Sequence, residues 1–238
     1  MKQLESSLAV RLLFHAVVSG QLGYAVYYDY NYAQLPWLAI ALRLVPPIGG
    51  KFNYLTFLTA ALHTFYYLLA LISDLCPVQG LRQLRDFLLA TFVVPLALTV
   101  SVTFWLLVAT NCEAIYPPFL NEMYPWWLTL TLHALIVCYA ALEIHLEPHC
   151  YPQRWKGFSA LAAGLVSYLV WMHLVYFWTG VWIYPFLGGF FEPFRWFFFG
   201  LIVSSAFVYY WLGERLNCML WAQCEWRNKA ISGPHFVG

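Results

Sequence analysis

The stretch FLLATFVVPLALTVSVTFWLLVAT, residues 87–110, contains no charged side chain. A helix that crosses a bilayer needs ~20 consecutive, predominantly apolar residues, and this stretch meets that requirement. The bilayer core has no water to satisfy exposed backbone polar groups, so a single spanning segment of this kind must be helical. Residues 87–110 therefore predict a transmembrane helix.

The composition of the whole chain agrees with a membrane protein. Hydrophobic residues make up 62% of the 238 residues and charged residues only 10%, whereas soluble domains average about 45–50% and about 25%. So few charges cannot cover a soluble surface of this size. The net charge is +1 and there is no basic run, so we expect no nucleic acid partner.

Six segments are apolar and long enough to cross a membrane. We therefore predict an all-α, polytopic membrane protein with six transmembrane helices that form a single domain over residues 1–238. Tyr-Pro pairs recur near the predicted membrane boundaries, where aromatic side chains act as interfacial anchors. These pairs begin at 116, 124, 151 and 184, and the segments are roughly 8–28, 53–75, 87–110, 125–145, 158–179 and 194–213.

Lysine and arginine residues predict the orientation of these helices. Cytosolic loops carry an excess of both residue types. The side that holds the two termini has nine of the 12, and the opposite side has Arg43, Lys51 and Arg195. We therefore expect both termini in the cytosol, in the endoplasmic reticulum or the plasma membrane. The nine are Lys2, Arg11, Arg82, Arg85, Arg154, Lys156, Arg215, Arg227 and Lys229.

Ionisable residues inside membrane spans are candidates for function by default. Thr56 lies about three residues into the second span and His133 about eight into the fourth, both counted from the non-cytosolic side. At ~1.5 Å per residue, both lie in the same half of the bilayer, so a Thr–His pair can form between these spans. The ionisable candidates are His15, His63, His133 and His173, with Glu143 and His145 near a cytosolic end.

His63 is the rival partner for Thr56, because it lies seven residues further along the same helix face. That spacing is about 10 Å along the helix axis, which is too long for a direct hydrogen bond. The second span therefore does not supply its own base without a kink or a bridging water.

Common catalytic motifs are absent from the sequence, which has no G-x-S-x-G, no H-E-x-x-H and no P-loop. The stretch EIHLEPHC at 143–150 gathers His145, Glu147, His149 and Cys150. A proline interrupts it on a predicted helix end, and no second cluster in the sequence completes it. We therefore predict no metal site and no cofactor.

Six short stretches, in this order and at compatible spacings, give the chain a recognisable signature. Together they resemble the family of androgen-induced protein 1 and the androgen-dependent TFPI-regulating protein, and the resemblance covers nearly the whole chain. The stretches are GGKFNYLTFLT at 49–59, IYPPFL at 115–120, WLTLTLHALI at 127–136, HCYP at 149–152, TGVWIYPFL at 179–187 and GERLN at 213–217.

The resemblance implies a function, because that family is known as multi-pass membrane hydrolases of fatty acid esters of hydroxy fatty acids. The family's threonine nucleophile, in its LTF motif, matches Thr56, and its histidine on the fourth span matches His133. The implied substrate is a lipid ester that already lies within the bilayer, among membrane lipids. Thr59 and His63 then line the helix of the nucleophile.

The implied chemistry is consistent with the residue types. A threonine hydroxyl is a weak nucleophile until a base takes its proton, and a buried imidazole resists charging and can accept one. Asn53, Tyr54 or backbone N–H groups at the start of the second span are candidates to stabilise the oxyanion, because helix N-termini favour negative charge.

Two alternatives from other classes remain open at this stage. Four span histidines suggest a haem-binding electron carrier of the b561 type, although the third span has no histidine and two matched pairs do not form. The other alternative is a non-catalytic membrane scaffold that regulates a partner protein.

Overall fold

The computed structural model describes residues 7–33, 43, 45–110 and 124–221, and these residues contain no strand. Six of the described helices are long and apolar enough to cross a membrane, which confirms the predicted all-α membrane fold. They are α1 (Leu8–Asn31), α2 (Leu55–Leu75), α3 (Gln79–Thr110), α4 (Trp126–Leu146), α5 (Arg154–Thr179) and α6 (Glu192–Leu220). Short 3-10 helices occupy Gly50–Asn53 and Pro185–Gly189.

Helices α3 and α6 extend furthest beyond their predicted bounds, in both cases at a polar end. The third begins at Gln79 rather than at residue 87, and the sixth ends at Leu220 rather than at residue 213. Polar residues can continue a helix past the apolar layer where they find partners, and Arg85 and Asp86 form an ion pair in the added turns. Lys2, Arg227, Lys229 and the stretch at 115–120 lie outside the described residues.

Helices α1 to α4 share one buried core. Leu22 of α1, Tyr66 and Tyr67 of α2 and Ile136 of α4 lie in it with at most 1% of their surface exposed. Helix α3 contributes the largest share of this core and also contacts α5 and α6, so it is the central helix of the bundle. Its core residues are Leu89, Val93, Val94, Ala97 and Val100.

Helices α5 and α6 lie on the outside of α3 and keep most of their surface exposed. Leu161 and Leu165 of α5 pack with Ala206 and Tyr210 of α6 and with Ala90 of α3. These exposed faces suit contact with lipid, because the chain has too few charged residues to cover them with a polar surface.

Two of the spanning helices contain a wider, π-helical turn. In α3 the turn covers Leu89–Val93 and comes just before Pro95. A proline inside a helix removes one backbone N–H and clashes with the preceding turn, and the wider turn makes room for it. In α4 the turn covers Thr131–Leu135 and contains His133. Turns of this type occur often at functional sites.

A buried polar network joins the ends of α1 to α4 that lie on the predicted cytosolic side. His15 lies between two carboxylates, with Nδ1 3.0 Å from Asp74 Oδ2 and Nε2 2.9 Å from Glu143 Oε2. Arg85 donates to Glu147 at 2.5 Å. Buried ionic groups of this kind need partners, and here the contacts of His15 and Arg85 join α1, α2, α3 and the end of α4.

Part of the stretch that the sequence analysis considered as a metal cluster belongs to this network. Glu147 accepts from Arg11 as well as Arg85, and His149 contacts Asp86 at 3.0 Å. The side chains of His15, Glu143 and Glu147 come within 4.8 Å of one another. The sequence did not indicate that α1 would complete the group, because His15 is 128 positions from Glu143.

Candidate functional site

Thr56 and His133 lie side by side between α2 and α4. Thr56 is the second residue of α2, whose N-cap is Tyr54. Its Oγ1 is 3.5 Å from Nε2 of His133. This contact is long for a hydrogen bond, and resting catalytic pairs are often long before a substrate binds. The structure therefore brings together the two residues that the sequence singled out.

The protonation of the His133 ring follows from its second nitrogen. Nδ1 is 3.1 Å from the carbonyl oxygen of Thr129, one turn earlier in α4. A carbonyl oxygen can only accept a hydrogen bond, so Nδ1 carries the proton of the neutral ring. Nε2 is then a lone-pair acceptor, and it faces the Thr56 hydroxyl. This is the tautomer that a base for Thr56 needs.

Helix α3 fixes the position of His133 through three side chains. Ser101 Oγ and Trp105 Nε1 both donate to the His133 carbonyl, at 2.5 and 3.0 Å. The π-turn disturbs the regular backbone bonding of α4 at this point, so these donors replace part of it. Phe104 stacks on the imidazole with ring centroids 3.7 Å apart. The sequence did not predict this support, because a π-turn has no clear sequence signal.

The other histidines of the predicted non-cytosolic half have different surroundings. His63 is fully buried and its Nδ1 donates to the Thr59 carbonyl at 2.8 Å. His173 donates to the Leu169 carbonyl at 2.7 Å and stacks on Trp196. Neither has a hydrogen bond to Thr56 in the described part of the chain.

An apolar cavity of about 150 Å³ opens beside Thr56. Its walls come from α2, α3, α5, α6 and the chain between α5 and α6, and Thr56 is one of the few polar residues in them. Apolar side chains form most of the surface, among them Val100, Phe104, Met172 and Phe199. A cavity of this character suits a hydrocarbon chain better than a polar metabolite.

The segment before α2 is held in place by a buried lysine. Lys51 Nζ lies 2.6 Å from Asp29 Oδ1 of α1 and also contacts the Tyr124 hydroxyl before α4. Burial lowers the pKa of Lys51, and the Asp29 carboxylate opposes that shift. These contacts fix the start of α2, and with it Thr56, against α1 and α4.

The side chain of Asn53, which the sequence analysis considered for the oxyanion, is held by two hydrogen bonds. Its Nδ2 donates to the Ile48 carbonyl at 2.6 Å, and its Oδ1 accepts from Trp171 Nε1 at 3.2 Å. Both ends of the amide are therefore engaged.

Two tyrosines that the sequence analysis did not select bind the first backbone N–H of α2. The Leu55 N–H lies 3.2 Å from the Tyr168 hydroxyl and 3.1 Å from the Tyr184 hydroxyl. Tyr184 belongs to one of the Tyr-Pro pairs interpreted as interfacial anchors, and here it lines the cavity beside Thr56. Burial raises the pKa of Tyr184, so its hydroxyl keeps its proton.

Comparisons with known proteins agree with the sequence resemblance. The model of the FAR-17a/AIG1-like protein family matches residues 10–218. The chain is 30% identical over 187 residues to the androgen-induced gene 1 protein of Homo sapiens, covering 73% of this chain and 79% of that protein. It is 31% identical over 188 residues to the androgen-dependent TFPI-regulating protein of Homo sapiens, covering 76% and 82%. No solved structure matches the chain.

Proposed function

Because this chain belongs to the FAR-17a/AIG1-like protein family, we propose that it is an intramembrane ester hydrolase with Thr56 as nucleophile and His133 as base. The observation that carries the proposal is the 3.5 Å contact between the Thr56 hydroxyl and His133 Nε2. The sequence resemblance implies the substrates, which are fatty acid esters of hydroxy fatty acids. The products are a fatty acid and a hydroxy fatty acid.

Acylation begins when Thr56 Oγ attacks the ester carbonyl carbon and its proton passes to His133 Nε2. The carbonyl π electrons move to oxygen and give a tetrahedral oxyanion. When this intermediate collapses, the ester C–O bond breaks and the hydroxy fatty acid leaves, taking the proton from Nε2. The fatty acyl group then remains on Thr56 as an ester.

Deacylation repeats these steps with water. His133 Nε2 takes a proton from a water molecule, which attacks the acyl-threonine carbonyl. Collapse of the second intermediate returns the proton to Thr56 and releases the fatty acid. General-base help of this kind is worth about 10²–10⁴-fold in rate, so most of the activity should depend on His133.

The location of the site suits a lipid substrate. Both acyl arms of such an ester partition into the bilayer, and the cavity beside Thr56 is apolar and bordered by the lipid-facing helices α5 and α6. A multi-pass protein of the endoplasmic reticulum or the plasma membrane would meet its substrate without extracting it into water. The reaction needs no cofactor.

Ester turnover by the purified full-length protein tests the proposal. Thr56→Val keeps the shape of the side chain and removes the hydroxyl, so it should abolish hydrolysis without loss of folding, whereas Thr56→Ser should keep measurable activity. Thr59→Val is the matched control, because the buried Thr59 hydroxyl has no hydrogen-bond partner among the described residues. Near wild-type turnover by Thr56→Val would end the proposal, and a Soret band in the absorption spectrum would revive the haem alternative.

A further inference from the structure

The proposed reaction builds negative charge on the ester carbonyl oxygen, and the structure has few polar groups near Thr56 that can face it. The cavity wall contains the hydroxyls of Thr56, Thr99, Thr103, Tyr168 and Tyr184. The protons of Thr99, Tyr168 and Tyr184 can be assigned from their hydrogen-bond partners.

Two of these hydroxyls have their protons committed elsewhere. Thr99 Oγ1 donates to the Pro95 carbonyl at 2.7 Å. Tyr168 Oη lies 2.9 Å from the Asn53 carbonyl oxygen, which can only accept, so the single Tyr168 proton goes there. Neither hydroxyl can therefore donate into the cavity without breaking a bond that it already makes.

Tyr184 is different because its proton has a choice of partners. Its oxygen accepts from the Leu55 N–H at 3.1 Å. Because the Tyr168 proton is on the Asn53 carbonyl, the Tyr184 hydroxyl can donate to Tyr168 Oη, 3.1 Å away. It can instead turn its proton into the cavity that it lines with Thr56. Turning leaves no group unsatisfied, because Tyr168 still accepts from Leu55. The Thr103 hydroxyl makes no hydrogen bond in the described part of the chain, so it is the rival donor, but it lacks the bond from the start of α2 that Tyr184 has.

The bond from Leu55 also strengthens Tyr184 as a donor. Leu55 is the first residue of α2, and the unpaired N–H groups of a helix start carry partial positive charge. A hydroxyl that accepts from such a group becomes a better donor in turn, because neighbouring hydrogen bonds polarise one another. The Tyr184 hydroxyl thus lies at the positive end of α2, on the N–H of the residue just before Thr56.

We propose that the Tyr184 hydroxyl donates a hydrogen bond to the oxyanion formed when Thr56 attacks the ester. This inference rests on the proposed function. In the resting protein the Tyr184 hydroxyl donates its hydrogen bond to Tyr168 Oη. It turns to the substrate oxygen as negative charge develops there. The donor is prearranged by α2, so little reorganisation accompanies the reaction.

The test compares Tyr184→Phe with the wild type in purified full-length protein, using a fatty acid ester of a hydroxy fatty acid. Loss of one oxyanion donor costs about 10²–10³-fold in kcat, so we expect a loss of at least ~100-fold, with KM changed by less than about threefold. A phosphonate that mimics the tetrahedral intermediate should label Thr56 more slowly by a similar factor.

Two other tyrosine variants separate catalysis from structure. Tyr168→Phe removes the bond to Asn53 but leaves the Tyr184 hydroxyl, so it should lower thermal stability more than kcat. Tyr176→Phe makes the same chemical change outside the cavity, where Tyr176 stacks on Trp182, and should keep kcat. Equal losses of kcat in Tyr168→Phe and Tyr184→Phe would overturn the proposal, since a shared structural role would explain both.

The outcomes distinguish this inference from the function on which it rests. Hydrolysis by Thr56→Val defeats the proposed function, whereas an inactive Thr56→Val beside a Tyr184→Phe variant with wild-type kcat defeats only the role of Tyr184. If Tyr184→Phe does not fold, 3-fluorotyrosine at position 184 keeps the ring packing and makes the hydroxyl a stronger donor. Phosphonate labelling of Thr56 should then be faster than in the wild type, and an unchanged rate overturns the proposal.

Discussion

His133 makes one hydrogen bond of a kind that two other membrane histidines also make, and a second contact that they do not make. His63, His133 and His173 each donate Nδ1–H to the carbonyl four residues earlier. This contact is a way to place a histidine within a spanning helix, and by itself it indicates no chemistry. What sets His133 apart is that its Nε2 faces a hydroxyl from another helix.

The residue-scale prediction compares His133 with His63. His133→Ala should lower turnover at least ~100-fold, since general-base help lies in the range of 10²–10⁴-fold. His63→Ala should reduce thermal stability, because it empties a fully buried position, while turnover per folded molecule stays close to wild type. Thermal unfolding measures the folded fraction of each variant, and the turnover rate is divided by that fraction. An inactive His63→Ala beside an active His133→Ala would show that the base is misassigned.

At the scale of elements, close packing of α6 against α3 depends on a glycine. A Cβ added at Gly213 would lie 2.8 Å from Val94 Cγ1 and 2.7 Å from the Tyr151 hydroxyl. Small residues at such contacts let membrane helices approach closely. Asn217, one turn later, exchanges two hydrogen bonds with the His149 backbone. The stretches HCYP and GERLN thus meet in space and hold α6 on the bundle.

We predict that Gly213→Ala destabilises the protein by about 1–3 kcal/mol, the usual cost of overpacking a close contact. Gly200→Ala is the matched control on the same helix, because nothing lies within 4 Å of a Cβ placed there. That change should be neutral or slightly stabilising, as alanine favours helix more than glycine does. Thermal unfolding in detergent measures both. Equal stability of the two variants would mean that α6 does not pack as described.

The spanning helices could be predicted because lipid imposes a strong and simple rule on sequence. A run of ~20 predominantly apolar residues identifies a spanning helix, and a helix covers all or nearly all of each of the six predicted segments. The polar ends of α3 and α6 were missed, because Arg85 and Glu214 in these ends pair with Glu147 and Arg154, and local hydrophobicity does not indicate such partners.

The candidate site was predictable in part. Helix depth alone placed Thr56 and His133 in the same half of the bilayer, and the resemblance implied their roles. The π-turn that carries His133, the donors Ser101 and Trp105, and the bond from Leu55 to Tyr184 depend on tertiary contacts. No periodicity of sequence encodes such contacts, so these features needed the structure.

At the scale of the whole molecule, two polar centres among the described residues lie at opposite ends of the bundle. One is the pair of Thr56 and His133, and the other is the ion-pair network around Glu143. Along α2, the distance from Thr56 to Asp74 is about 27 Å, which is close to the thickness of a bilayer core of about 30 Å. The proposed orientation puts the network at the cytosolic face and the reaction in the opposite half.

Glycosylation mapping tests this orientation. An acceptor sequence placed around residues 113–121, between α3 and α4, should be modified in cells, whereas one placed after residue 221 should not. The expectation follows from the excess of lysine and arginine on the side of the termini. The reverse pattern would overturn the orientation and move the site to the cytosolic half.

The central claim is that Thr56 carries the acyl group during turnover. The most direct measurement is peptide mapping by mass spectrometry after the purified protein reacts with an acylating phosphonate or with substrate that is rapidly quenched. We predict an adduct on Thr56 in the wild type, a much weaker one in His133→Ala and none at this position in Thr56→Val. An adduct on another residue, or full ester turnover by a protein that is never modified at Thr56, would contradict the account.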